Sequence, residues 1–192
     1  MATNVLEESI EEVEKITTEL FKFNGGKKIL NHSFRVAKLI KEFAVYLDME
    51  DHQVLKLYLS ALIHHWDQKK MMAWKKDEER TEKEWREMFR RSQEAVNQAV
   101  TKLRHKDHDV LCTVRDLHRR SNGGRGPNIS ESVTQYIRIL SLADAFDAMT
   151  NNKIRKEIKT KDEALRELNQ LKNVQFSDEL TKKFIDFIQS GP

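Results

Sequence analysis

The chain has 192 residues, 39% of them apolar and 34% charged, with 34 basic against 31 acidic side chains and a formal net charge of +3. That length suits one domain, and that composition is globular and soluble, not disordered. The charge balance argues against general nucleic-acid binding, which needs a clear basic excess, and no apolar run approaches the ~20 residues of a membrane span. The N-terminal Met1-Ala-Thr-Asn-Val-Leu-Glu-Glu has no cationic stretch leading into an apolar one, so no secretory signal is read there. The one cysteine, Cys112, cannot form an internal disulfide. A reducing, cytoplasmic setting is the expectation, with Cys112 as a small core residue.

Six glycines and two prolines punctuate the whole chain, and no strand-like alternation lasts. Segment 4–23 sets Val5, Ile10, Val13, Ile16, Leu20 and Phe21 at helical spacing and ends at Gly25-Gly26. Its apolar stripe either covers the core or pairs with a second subunit in a homo-oligomer, and core is the commoner use. Segment 27–48 carries Ile29, Phe34, Val36, Ile40, Phe43 and Leu47. Segment 51–66 carries Val54, Leu55, Tyr58, Leu59, Leu62 and Ile63 and finishes at His64-His65-Trp66. Residues 67–80 are mostly polar and read as a loop. Thr81 with Glu84 makes a capping box that opens a helix through Trp85, Phe89, Val96 and Leu103. A shorter helix covers 108–119. Ser121-Asn-Gly-Gly-Arg-Gly-Pro-Asn128 is a loop. Segment 130–150 is long and apolar. Helices over 160–172 and 177–190 close the chain, the last with Ser177 as N-cap. The expected fold is all-α, a bundle of seven to nine helices forming one domain over 1–192. Residues 1–26 supply an N-terminal helix on or beside a core of 27–192.

Asp144, in Leu142-Ala-Asp-Ala-Phe-Asp-Ala-Met149, is a carboxylate in an otherwise apolar helical run. An isolated buried charge would neutralise, so it needs a partner. Candidate partners are His32, the pair His64-His65 and His118, each on or beside a different helix. Imidazoles and a carboxylate converging from several helices make a divalent-metal site of the kind used on phosphate esters. Adjacent helical residues point roughly 100° apart, so at least one of His64 and His65 should face inward. Asp147 shares a face with Asp144. Taken singly, His32 reads as a satisfied core or cap histidine.

Asn31-His-Ser-Phe-Arg-Val-Ala-Lys-Leu39, Leu57-Tyr-Leu-Ser-Ala-Leu-Ile-His64 and Arg138-Ile-Leu-Ser-Leu-Ala-Asp-Ala-Phe-Asp-Ala-Met-Thr150 resemble the HD-domain metal-dependent phosphohydrolases. The likeness is closer to the HD-GYP subgroup, whose members hydrolyse cyclic di-GMP. It runs from about residue 27 to the end and includes Thr81-Glu-Lys-Glu-Trp-Arg-Glu-Met88 and Val174-Gln-Phe-Ser-Asp-Glu-Leu180. The resemblance implies a helical core with the metal held between helices.

The chain departs from that pattern in one direction. The His-Asp doublet reads His64-His65, and the Gly and Lys that follow it in the family read Asp67 and Gln68, with Lys69 next door. The acidic position four residues before His32 is Lys28, and a family histidine falls at Arg91. The His-His-Glu stretch reads Leu117-His118-Arg119, the Asp after it falls at Asn122, and Gly-Tyr-Pro reads Arg125-Gly126-Pro127. Imidazole cannot bridge two cations as a carboxylate does, so no binuclear centre is expected. Retained are His32, His64, His118 and Asp144, with His65 as a substitute ligand. Together they suit one divalent transition metal: Fe, Mn, Ni or Zn. Lys28, Lys69, Arg91, Arg119 and Arg125 could instead bind phosphate as fixed cations.

Three functions follow as expectations. The first is a degenerate HD-GYP-like signalling module, impaired toward cyclic di-GMP, that binds a phosphorylated small molecule or nucleotide or a signalling protein. The second is a mononuclear metal-dependent phosphohydrolase or phosphodiesterase. The third is a structural interaction domain with an inert pocket.

Overall fold

The computed structural model describes residues 2–22, 26–65, 81, 90, 94, 107–120, 130–151, 158–172 and 175–191. Among them are seven helices and no strand beyond one isolated bridge, as the apolar periodicity predicts. They are α1 (Ala2–Leu20), α2 (Gly26–Tyr46), α3 (Asp51–Ile63), α4 (His108–Arg120), α5 (Glu131–Asn151), α6 (Lys161–Gln170) and α7 (Asp178–Ser190). Of the helix expected after Thr81, Arg90 and Glu94 are described and helical, while the capping partner Glu84 and the rest lie outside the described residues.

Helix α5 is the centre of the bundle and packs against α2, α3, α4, α6 and α7. Its sequence explains this position. Val133, Tyr136, Ile137, Ile139, Leu140, Leu142, Ala143 and Met149 are all buried, so apolar side chains leave it on every side. Its exposed residues are few: Glu131, Ser132, Arg138 and Asn151. Helix α2 is amphipathic instead and buries Val36, Ala37, Ile40, Phe43 and Ala44 at spacings of three and four. Helix α1 lies against α3. It buries Val13 and Thr17, Phe21 follows them inside, and the Tyr58 hydroxyl donates to Glu14 at 2.8 Å. The stripe on α1 is therefore core.

The turn between α2 and α3 sets the register of the site. Met49 N–H donates to Ala44 O at 3.1 Å and Asp48 N–H to Val45 O at 3.0 Å. Asp48 stands between them at φ 56. These bonds make the Schellman ending usually built on glycine. Four residues then reverse the chain into α3. At 1.5 Å per residue, His32 on α2 and His64 at the end of α3 both stand roughly 20 Å above this turn. Distant in sequence, they come to the same level.

The closing helices differ in how they start. Thr160 caps α6 by accepting from Glu163 N–H at 3.3 Å, while Thr160 N–H donates to the Glu163 carboxylate at 2.8 Å. Ser177 occupies the N-cap position of α7, but its hydroxyl makes no capping bond. Acidic Asp178 and Glu179 in the first turn face the positive end of the helix instead. No helix among the described residues is long and apolar enough to cross a membrane.

Candidate metal centre

His64 is the C-cap of α3 and fully buried. Its Nδ1 lies 2.5 Å from the carbonyl of Ala61. A carbonyl can only accept, so Nδ1 carries the proton and Nε2 carries a lone pair. That Nε2 is buried, has no hydrogen-bond partner and points at Asp144 Oδ1, 3.7 Å away. His65 stacks beside it with ring centroids 3.9 Å apart. The His32 ring lies 5.4 Å from that of His64 and 5.0 Å from that of His65. Three imidazoles thus surround one carboxylate.

His32 sits at the edge of the buried stripe of α2, facing α5, where Asp144 and Asp147 are one turn apart. Its Nε2 is 3.0 Å from Asp144 Oδ1 and its Nδ1 2.6 Å from Asp147 Oδ2. Asp147 is only 4% exposed in its side chain. Arg35 donates to it through Nε at 2.7 Å and Nη2 at 2.8 Å, and Asn151 Nδ2 donates at 3.0 Å. Burial by itself lowers the His32 pKa, but Asp144 and Asp147 outweigh it and lift the value to about 9. Burial raises the Asp144 carboxyl, yet the His32 imidazole beside it holds it well below the usual carboxylate range. Asp147 is also lowered, because His32 and Arg35 more than offset its burial.

One ligand atom each from His32, His64, His65 and Asp144 can be chosen so that all lie within 4.8 Å of one another. Ligands about 2.0–2.2 Å from a tetrahedral ion stand roughly 3.4 Å apart. Closing on a metal would draw the widest pair in by up to about 1.4 Å, a side-chain adjustment. The orphaned His64 Nε2 is the sharper fit. A buried lone pair with no donor is costly, and a Lewis acid between it and Asp144 would remove that cost.

The other expected residues stand apart from this cluster or lie outside the described residues. Lys28 lies one turn before His32 and is exposed. His118 and Arg119 belong to α4, but their side chains lie outside the described residues, as do Lys69, Arg91 and Arg125. Reading the sequence missed Arg35 and Asn151 and gave Asp147 no role. A signal was available: His32/Arg35 on α2 and Asp144/Asp147 on α5 repeat the same three-residue spacing, which lets two helices pair twice. A second charged cluster, Lys56 with Asp109 at 2.8 Å and Asp107 at 3.1 Å, ties α3 to the start of α4.

No curated protein matches the chain. The family model described as HD domain matches residues 14–180, from the middle of α1 into α7. HD domains bind divalent metals, and the His/Asp cluster here is a set of groups that could hold one. With that match over most of its length, the chain belongs to the HD-domain family.

Proposed function

We propose that this chain is a reduced, HD-GYP-like module that holds one divalent transition metal on His32, His64, His65 and Asp144. It engages a phosphorylated small molecule or nucleotide there, and its cyclic di-GMP hydrolysis is impaired. The orphaned Nε2 of His64, wholly buried and aimed at Asp144, carries this reading. Three imidazole nitrogens and one carboxylate oxygen favour Fe, Mn, Ni or Zn over the hard cations Mg and Ca. When bound, such an ion supplies Lewis-acid charge to a phosphoryl oxygen.

The chain's own groups prepare for that. Ala61 O keeps the proton of His64 on Nδ1. The low pKa of Asp144 keeps its carboxylate ionised at neutral pH. A single ion is favoured because the cluster has one carboxylate, and His65 stands where the family doublet has its bridging Asp. Lys28, exposed one turn before His32, gives the fixed-cation idea no support. A mononuclear phosphohydrolase is the second reading, favoured by the same donor set.

Protein purified without chelator, analysed for metal and assayed on bis-p-nitrophenyl phosphate and cyclic di-GMP, tests both. About one equivalent of transition metal per chain, with cyclic di-GMP left intact, is the expected result. Turnover of the generic diester would select the second reading. Two or more ions per chain, no ion after loading, or ready hydrolysis of cyclic di-GMP would overturn the proposal.

A further inference from the structure

Asp144 and Asp147 sit one helical turn apart, both beside His32, and their surroundings divide their labour. Asp147 accepts four hydrogen bonds. Arg35 Nε and Asn151 Nδ2 reach Oδ1, and Arg35 Nη2 and His32 Nδ1 reach Oδ2. A carboxylate offers about four acceptor sites, so Asp147 has none left for an ion. Asp144 is 32% exposed in its side chain and keeps an oxygen among the three rings.

Arg35 supplies two parallel N–H donors in a planar fork, which fixes the orientation of the Asp147 carboxylate as well as its position. The orientation of that carboxylate decides where the His32 ring points. With Nδ1–H donating to Oδ2, the opposite nitrogen, Nε2, must face the cluster.

We propose that Asp147, clamped by Arg35 and Asn151, is the positioning residue that keeps the proton of His32 on Nδ1 and aims Nε2 at the metal cluster. His64 is held the same way by Ala61 O. Two rings from different helices thus each donate through Nδ1 to a fixed acceptor, and a bound ion would displace the Nε2 proton that His32 shares with Asp144 in the metal-free protein. The inference rests on the metal reading above. It also sets Arg35 and Asp147 apart from an ordinary interhelical ion pair, which would stabilise the fold without shaping the site. Outer-sphere partners of this kind are typically worth 10- to 100-fold in metal affinity.

The experiment is Co²⁺ titration of metal-free protein followed by visible absorption. Proton NMR of the Co²⁺-loaded protein is added, in which slowly exchanging imidazole N–H signals are shifted by the ion. Asp147→Asn should weaken Co²⁺ binding by roughly 10- to 100-fold, alter the absorption bands and lose the protected N–H signal of His32 while keeping that of His64. Arg35→Lys retains the charge but not the fork, and should fall between the parent and Asp147→Asn. If Asp147→Asn does not fold, Arg35→Lys carries the test alone. Tyr58→Phe, which removes the interhelical bond to Glu14 on the side of α3 that meets α1, should lower stability and leave Co²⁺ affinity and both signals unchanged. Parent protein that takes up no Co²⁺ would sink the metal reading and this inference with it. Parent protein that binds, with both variants matching its affinity and spectra, would sink this inference alone.

Discussion

Raising metal-free protein from pH 6 to pH 10 should remove on the order of 3 kcal/mol of stability through one side chain. The His32 ring is 14% exposed, and its pKa stands at about 9 against the ordinary 6.5. In the unfolded chain its carboxylate partners are gone, and it titrates near the ordinary value. Below about pH 6.5 both states hold the proton and the stabilisation is complete. Between 6.5 and about 9 only the folded state holds it, so stability falls by about 1.4 kcal/mol per pH unit. Above that the ring is neutral in both states and its contribution is gone. Asp144 and Asp147, whose pKa values are lowered, remain ionised throughout the window and add no slope. Lys56 and Tyr58 are raised and titrate beyond it. Urea unfolding in chelator at half-unit pH steps reads the effect, with His32→Gln as the reference. The parent should lose stability steadily from pH 7 to 9 while the variant stays nearly flat. A flat parent profile, or equal slopes in the two proteins, would refute the reasoning.

Further outcomes follow from other contacts. His64→Ala should drop the metal content of protein purified without chelator to a small fraction of the parent value, measured by elemental analysis. Phe184 is fully buried and meets Phe43 edge-on with centroids 5.0 Å apart and Phe146 at 5.6 Å. Its truncation to alanine should cost about 3–5 kcal/mol in a denaturant melt. Asp48 holds a left-handed conformation at φ 56, so Asp48→Gly should stabilise by about 0.5–1 kcal/mol, read as a higher melting temperature.

The helices were legible because their signal is local. Apolar positions at spacings of three and four, with glycines and polar runs between them, put every described helix within about three residues of its observed bounds. The cluster was legible for a different reason. Asp144 in an apolar run demands a partner, and few imidazoles were on offer, so His32 and His64 followed, and His65 joins them. What stayed hidden depends on rotation. Whether Asp144 or Asp147 turns toward the rings is fixed by the angle at which α5 crosses α2, and no spacing along one helix encodes that. Arg35 looked like one more surface base because its partner lies 112 residues away. Ser177 shows the converse: the right residue at the right place, with its hydroxyl not making the bond.

The ending of α3 has a consequence for the order in which ligands arrive. Its last turn runs directly into His64 and His65, so the carbonyl end of its aligned peptide dipoles, worth about half a negative charge, lies against the cluster beside ionised Asp144. That end of the helix adds to the pull of Asp144 on a cation. If the cluster loads an ion as proposed, a phosphorylated compound should bind better to loaded than to stripped protein, the ion entering first.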